Sequence, residues 1–179
     1  MRIFDHLDAD VEFETFQLGE DKEPISVESS AQVREASVAL VAQSRRTVEM
    51  ISRHLDPAVY DTTEFADTLR RFVLDSSRAR VHIIVMDSRP ILATGHLLVN
   101  LAQQLSSFIE IRKPDAKHAG YNCAFLLADR VGSVYRRLAD RFDGVVNFGD
   151  RRAASELSET FDEIWTHAEP DPNLRRLRI

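Results

Sequence analysis

The segment Arg80-Val81-His82-Ile83-Ile84-Val85-Met86 constrains this chain more than any other. It is rich in β-branched residues, almost wholly apolar and too short for a core helix. An apolar run without strict alternation belongs to a strand buried on both faces, which places it centrally in a parallel sheet flanked by helices. Thr47-Val48-Glu49-Met50-Ile51-Ser52 reads as a second such strand, and Phe108 to Arg112 as a third. Between them lie helical patterns. Ser29 or Ser30 caps a helix with its apolar stripe at Val33, Ala36, Leu40 and Val41. Phe65, Leu69, Phe72 and Val73 mark another, and Pro90 opens a third carrying Leu98, Leu101, Ala102 and Leu105.

The rest of the pattern completes one layered domain. Val11 to Leu18 predicts a half-buried strand, and Gly19 to Pro24 a turn. Cys123 to Ala128 predicts a buried strand ending at Asp129, followed by short strands at Val134–Arg136 and Val145–Phe148. Ala154, Leu157, Phe161, Ile164, Trp165 and Ala168 define a last amphipathic helix with Phe161 and Trp165 in the core. This order specifies an α/β fold with a mixed sheet. The expected division is an acidic arm over 1–28 holding one strand, an α/β domain over 29–168, and a basic tail over 169–179.

Charge separates the arm from the body. The first 30 residues hold nine carboxylates against Arg2 and Lys22, and the net charge of the whole chain is −6, so the remainder is within one charge of neutral. A near-neutral body behind an acidic arm disfavours nucleic acid as a partner. No apolar run is long enough to span a membrane, and the first residues carry no secretory h-region. The single cysteine, Cys123, excludes an intramolecular disulfide and a cysteine-rich zinc site. The chain is expected to be cytoplasmic. Phosphate-binding glycine loops, the Rossmann fingerprint and the hydrolase elbow are absent, and the six histidines form no paired metal motif. No cofactor and no metal are expected.

The segment Tyr121 to Asp129 resembles the motif strand of the phospholipase D superfamily, H-x-K-x4-D. In that family the His attacks phosphorus, the Lys neutralises phosphate charge and the Asp supports the site. With Asp129 at the Asp position, Asn122 takes the place of the His and Ala124 that of the Lys. An amide is no nucleophile and a methyl group offsets no anionic transition state, so phospholipase D chemistry is not expected. The order of elements over 30–166 also resembles a single repeat of that superfamily. Six further segments strengthen a resemblance to an uncharacterised bacterial domain found alone or behind GNAT acetyltransferases: Ser52–Pro57, Asp87–Arg89, Gly95-His96, Ile109–Arg112, Phe161–Trp165 and Asp171–Arg175. The resemblance implies a single-repeat phospholipase D-like sheet, with a second copy of the chain or an acetyltransferase as partner.

In a parallel sheet, ligands gather beyond the C-terminal strand ends. Arg53, Arg89, Arg112 and Arg130 are the candidate anion-binding groups there, with Asp56, Asp87 and His96 as a polar pocket. Two readings follow. One is a non-catalytic module binding a phosphate-bearing ligand or a protein. The other is an enzyme of different chemistry in which Asp87, His96, Asp129 and Arg130 converge. Asn122 and Asp129 are expected on one strand, facing opposite sides.

Overall fold

The computed structural model describes residues 10–175. Residues 1–9 of the acidic arm and 176–179 of the basic tail lie outside the described residues. One eight-stranded sheet organises the chain, in the order β1-β7-β6-β5-β2-β3-β4-β8. The strands are β1 (Ile25–Val27), β2 (Thr47–Ser52), β3 (Arg80–Val85), β4 (Ile109–Lys113), β5 (Ala124–Ala128), β6 (Gly132–Arg136), β7 (Gly144–Asn147) and β8 (Glu169–Pro170). β2, β3 and β4 run parallel, while every other neighbouring pair is antiparallel. This is the mixed α/β sheet expected from the sequence, and β3 sits within its parallel half.

Alternation along the strands divides two cores. Val48, Met50, Val81, Ile83, Val85, Leu126 and Val134 face the larger one. It is closed by α1 (Ser30–Gln43), α2 (Pro57–Tyr60), α3 (Thr63–Leu74), α4 (Arg89–Thr94) and α5 (Leu97–Gln104). Ile51, Ile84, Phe125 and Leu127 point the other way, against Ala154, Phe161 and Ile164 of α6 (Arg151–His167). Among the described residues α6 is the helix on this face, packed over β2, β5 and β6. Ser29 caps α1 by accepting from Gln32 N–H, Thr62 caps α3, and Asp150 caps α6 with two backbone N–H groups.

Four expectations change. Val11–Leu18 is no strand: a 3₁₀ turn covers Phe13–Thr15, with Phe13 buried and Phe16 stacked on Phe148. Phe13 and Phe16 are three apart, which is a helical turn and breaks the two-residue period. The edge strand is instead Ile25–Val27, just past the expected turn. The helix after Pro90 is two helices, because Gly95 at φ +77° stops α4 and His96 starts α5. Trp165 is half-buried, stacked on His82 with ring centroids 4.5 Å apart. After α6, β8 pairs with β4, and α7 (Pro172–Arg175) buries Leu174.

Candidate functional site

Strand direction decides which side chains meet. β2, β3 and β4 end at one edge of the sheet; β5 runs antiparallel to β2 and begins there. Asn122, just before β5, therefore joins Arg53 and Asp87 beyond the ends of β2 and β3. Asp129 and Arg130, beyond the end of β5, lie at the opposite edge beside the start of β2. Neither Asn122 nor Asp129 is within the strand they were expected to share, since β5 spans only Ala124–Ala128. The segment between them is extended, not helical.

At the first edge an open cleft of about 680 Å³ is lined by Arg53, His54, Met86, Asp87, Arg89, Ala119, Gly120, Tyr121 and Asn122. The ladder between β2 and β3 continues past the strands: Met86 N–H donates to Ser52 O at 3.0 Å and Asp87 N–H to Arg53 O at 2.8 Å. Ser52 Oγ accepts from Leu55 N–H, and Leu55 at φ +56° turns the chain away. Arg53 and His54 are thus presented at the rim. Arg53 donates to the Asn122 side-chain oxygen. His54 Nδ1 faces the Asp87 carbonyl at 3.4 Å. Arg89 forks onto Asp87 with two contacts of 2.8 Å, holding that carboxyl well below its usual range. Arg89 is 87% exposed and its charge is neutralised by Asp87, which leaves Arg53 as the cleft's net cation.

The other expected residues serve elsewhere. Asp56 pairs with Arg136, which is 1% exposed and also donates to the Arg141 carbonyl at 2.9 Å. Arg112 reaches Glu110 at 2.8 Å, donates to Trp165 O and lies 4.1 Å over the Trp165 ring. Arg130 bridges the buried Glu49 and Asp162 of α6 through four contacts of 2.6–3.0 Å. Asp129 accepts from the backbone N–H groups of Arg45, Arg46 and Thr47 at 2.8–2.9 Å, clamping the loop before β2. Ala124 is buried at the start of β5. His96 caps α5 with Nδ1 accepting from Leu98 N–H, while Nε2 donates to Leu55 O at 2.8 Å. Both nitrogens are used and burial pushes its pKa down, so it is a neutral structural histidine. The quartet Asp87, His96, Asp129 and Arg130 does not converge, because β5 is antiparallel and carries half of it away.

Sequence reasoning missed Arg136 and His118. Arg136 shares the two-residue phase of Val134, which puts a cation on the core face and demands a buried carboxylate partner. His118 sits between Asp115 at 2.6 Å and Glu163 at 3.2 Å, and those two hydrogen bonds raise its pKa. The loop position of His118 and its distance in sequence from Glu163 gave no signal. Among the described residues no group of three His, Cys, Asp or Glu side chains could hold a metal ion, and no helix is long and apolar enough to cross a membrane.

The sequence profile of the domain of unknown function DUF7931 matches residues 29–177. The chain belongs to the DUF7931 family. Among curated proteins no sequence matches it. The DUF7931 fold is similar to that of Nuc, a phospholipase D family member from Salmonella typhimurium, at a TM-score of 0.56 and 14% identity over 83% of this chain and 99% of that one. It is similar to TrmBL2, an archaeal chromatin protein whose structure shows a novel mode of DNA binding, at a TM-score of 0.60 and 16% identity over 85% of this chain. The chain spans about half of TrmBL2, 55% of its length. The phosphatidylserine synthase of Haemophilus influenzae is similar at a TM-score of 0.57 and 11% identity, over 88% of this chain and 41% of that one. At these identities the likeness is one of fold: DUF7931 has a phospholipase D-like sheet.

Proposed function

We propose that this domain is a non-catalytic binding module that holds a phosphate-bearing ligand in the cleft beyond β2 and β3. One observation carries the reading: Arg53 stands at the rim with its guanidinium on Asn122, the residue aligned with the superfamily's reacting histidine. Asn122 uses its oxygen on Arg53, which leaves its NH₂ as a donor. Arg53 and that amide then offer donors to an anion, while Arg89 stays forked on Asp87 at the same rim. The aligned lysine position is Ala124, so the cleft lacks the pair that would cleave a phosphodiester. The near-neutral body argues against a nucleic-acid surface.

An amide-shift NMR titration with inorganic phosphate, a mononucleotide, glycerol phosphate and duplex DNA tests this. The expected result is saturable shifts at Arg53, Asp87 and Asn122 with the small phosphates, abolished in Arg53→Ala and unchanged in Arg130→Ala. Absence of shifts with all four ligands overturns the reading and leaves a protein partner, a second copy or an acetyltransferase included. A steeply salt-dependent affinity for duplex DNA overturns it in favour of nucleic acid. Hydrolysis of bis-p-nitrophenyl phosphate that disappears in His54→Ala overturns the word non-catalytic.

A further inference from the structure

On the face covered by α6, Ser133 and Asn147 are register partners on β6 and β7. Both are buried, at 0% and 7% exposure, and among the described residues Ser133 Oγ and Asn147 Oδ1 have no hydrogen-bond partner. Buried polar atoms without partners are uncommon and call for an explanation. These two share a groove of about 570 Å³ at the flank of α6. Tyr121, Cys123 and Tyr135 form one wall, with the Tyr135 hydroxyl donating to Cys123 Sγ at 3.4 Å. Val145 and Leu157 supply apolar surface, and Val145 is 36% exposed. The groove lies between α6, which packs on β6, and the partly exposed Val145 of β7.

We infer that this groove is a second ligand site, for a neutral, flat small molecule whose amide or hydroxyl reaches Ser133 and Asn147. Asn147 Oδ1 only accepts, so the ligand brings an N–H or O–H; Ser133 Oγ either donates or accepts, so a ligand group with both functions suits the pair. The aromatic and aliphatic walls fit a flat apolar body. Among the described residues lining the groove Glu156 alone is charged, so an anion is rejected here. The site stands apart from the anion cleft in residues and charge, sharing only Tyr121.

Amide-shift titrations with benzamide, phenol and benzoate test the assignment on the intact chain. Benzamide and phenol are expected to shift Ser133, Val145 and Asn147, and benzoate is expected to leave them unmoved. Asn147→Leu removes the unpartnered oxygen at similar volume, so its melting temperature is expected at or above that of the parent chain. The same variant is expected to weaken benzamide about tenfold, the equivalent of one hydrogen bond. Failure of benzamide and phenol to shift the floor residues overturns the site. Equal binding of benzoate, or benzamide binding unchanged in Asn147→Leu, overturns the polar recognition. A clear fall in melting temperature of Asn147→Leu shows an internal partner for that oxygen and overturns the premise.

Discussion

Removing Arg130 tests an arginine committed to a buried ion pair. Its guanidinium donates to Glu49 at 2.6 and 3.0 Å, and Glu49 is 3% exposed on β2. Arg130→Ala leaves that carboxylate buried without its counter-charge. Breaking a buried pair in this way costs about 3–5 kcal/mol. The Arg130 side chain is 41% exposed, so water partly replaces it, and the exposed contact to Asp162 adds little. The expected loss is therefore about 3 kcal/mol, or about 6–12 °C in melting temperature for a chain of this length. Burial already raises the Glu49 pKa despite Arg130, and losing the guanidinium raises it further. A carboxyl with a raised folded pKa destabilises the fold as pH rises through the interval between its unfolded and folded values. The deficit of Arg130→Ala is thus largest at neutral pH and shrinks as pH falls through the raised folded values of Glu49, which lie above the ordinary glutamate range, so little of it remains at pH 4. Urea denaturation at pH 7 and pH 4, on the single variant and on Glu49→Leu/Arg130→Ala, measures both effects. The double variant is expected to recover most of the loss, because no buried charge remains. A single variant within about 0.5 kcal/mol of the parent at pH 7 refutes the reasoning.

Three other outcomes follow from the same structure. Asp129→Ala removes the acceptor of three backbone N–H groups and is expected to cost about 2 kcal/mol by urea denaturation, while phosphate shifts at Arg53 stay unchanged. Gly144→Ala would drive a Cβ into the Tyr135 carbonyl across the β6–β7 pair and is expected to cost about 1–3 kcal/mol, read from the urea midpoint. His96 has a folded pKa below its unfolded value, so its contribution is present at neutral pH and is lost as pH falls through about 6.5 toward the folded value. His96→Ala is expected to cost about 1–2 kcal/mol at pH 7.5 and to flatten the fall in stability between pH 6.5 and 5.

Local chemistry made much of this protein readable from its residues. The run at 80–86 is apolar on both faces, and β3 is buried on both. Ser29 and Pro90 carry their instructions in their own side chains, a capping oxygen and a missing N–H, and both stand where those instructions place them. The near-neutral charge of the body is also legible in the sequence. Where the reading failed, local pattern and tertiary partner disagreed. Val11–Leu18 mixes a two-residue and a three-residue spacing, and packing of Phe16 on Phe148 selected the turn.

The site depended on something no local pattern holds. Composition and spacing placed Arg53, Asp87, Asp129 and Arg130 together at one edge of a parallel sheet, and the structure divides them between two edges. That follows from β5 pairing with β2 in the antiparallel sense, a contact between segments about 80 residues apart. The same pairing brings Asn122 to Arg53 and sends Asp129 to the loop before β2. It commits Arg130 to Glu49, while the pairing of β6 with β7 sets Ser133 beside Asn147. The sequence by itself determined most of the strands and helices and the near-neutral charge of the body, because periodicity, capping and composition are local properties. Strand direction, settled only when the sheet assembles, decided which charges are spent on one another and which stand at the rim of the cleft.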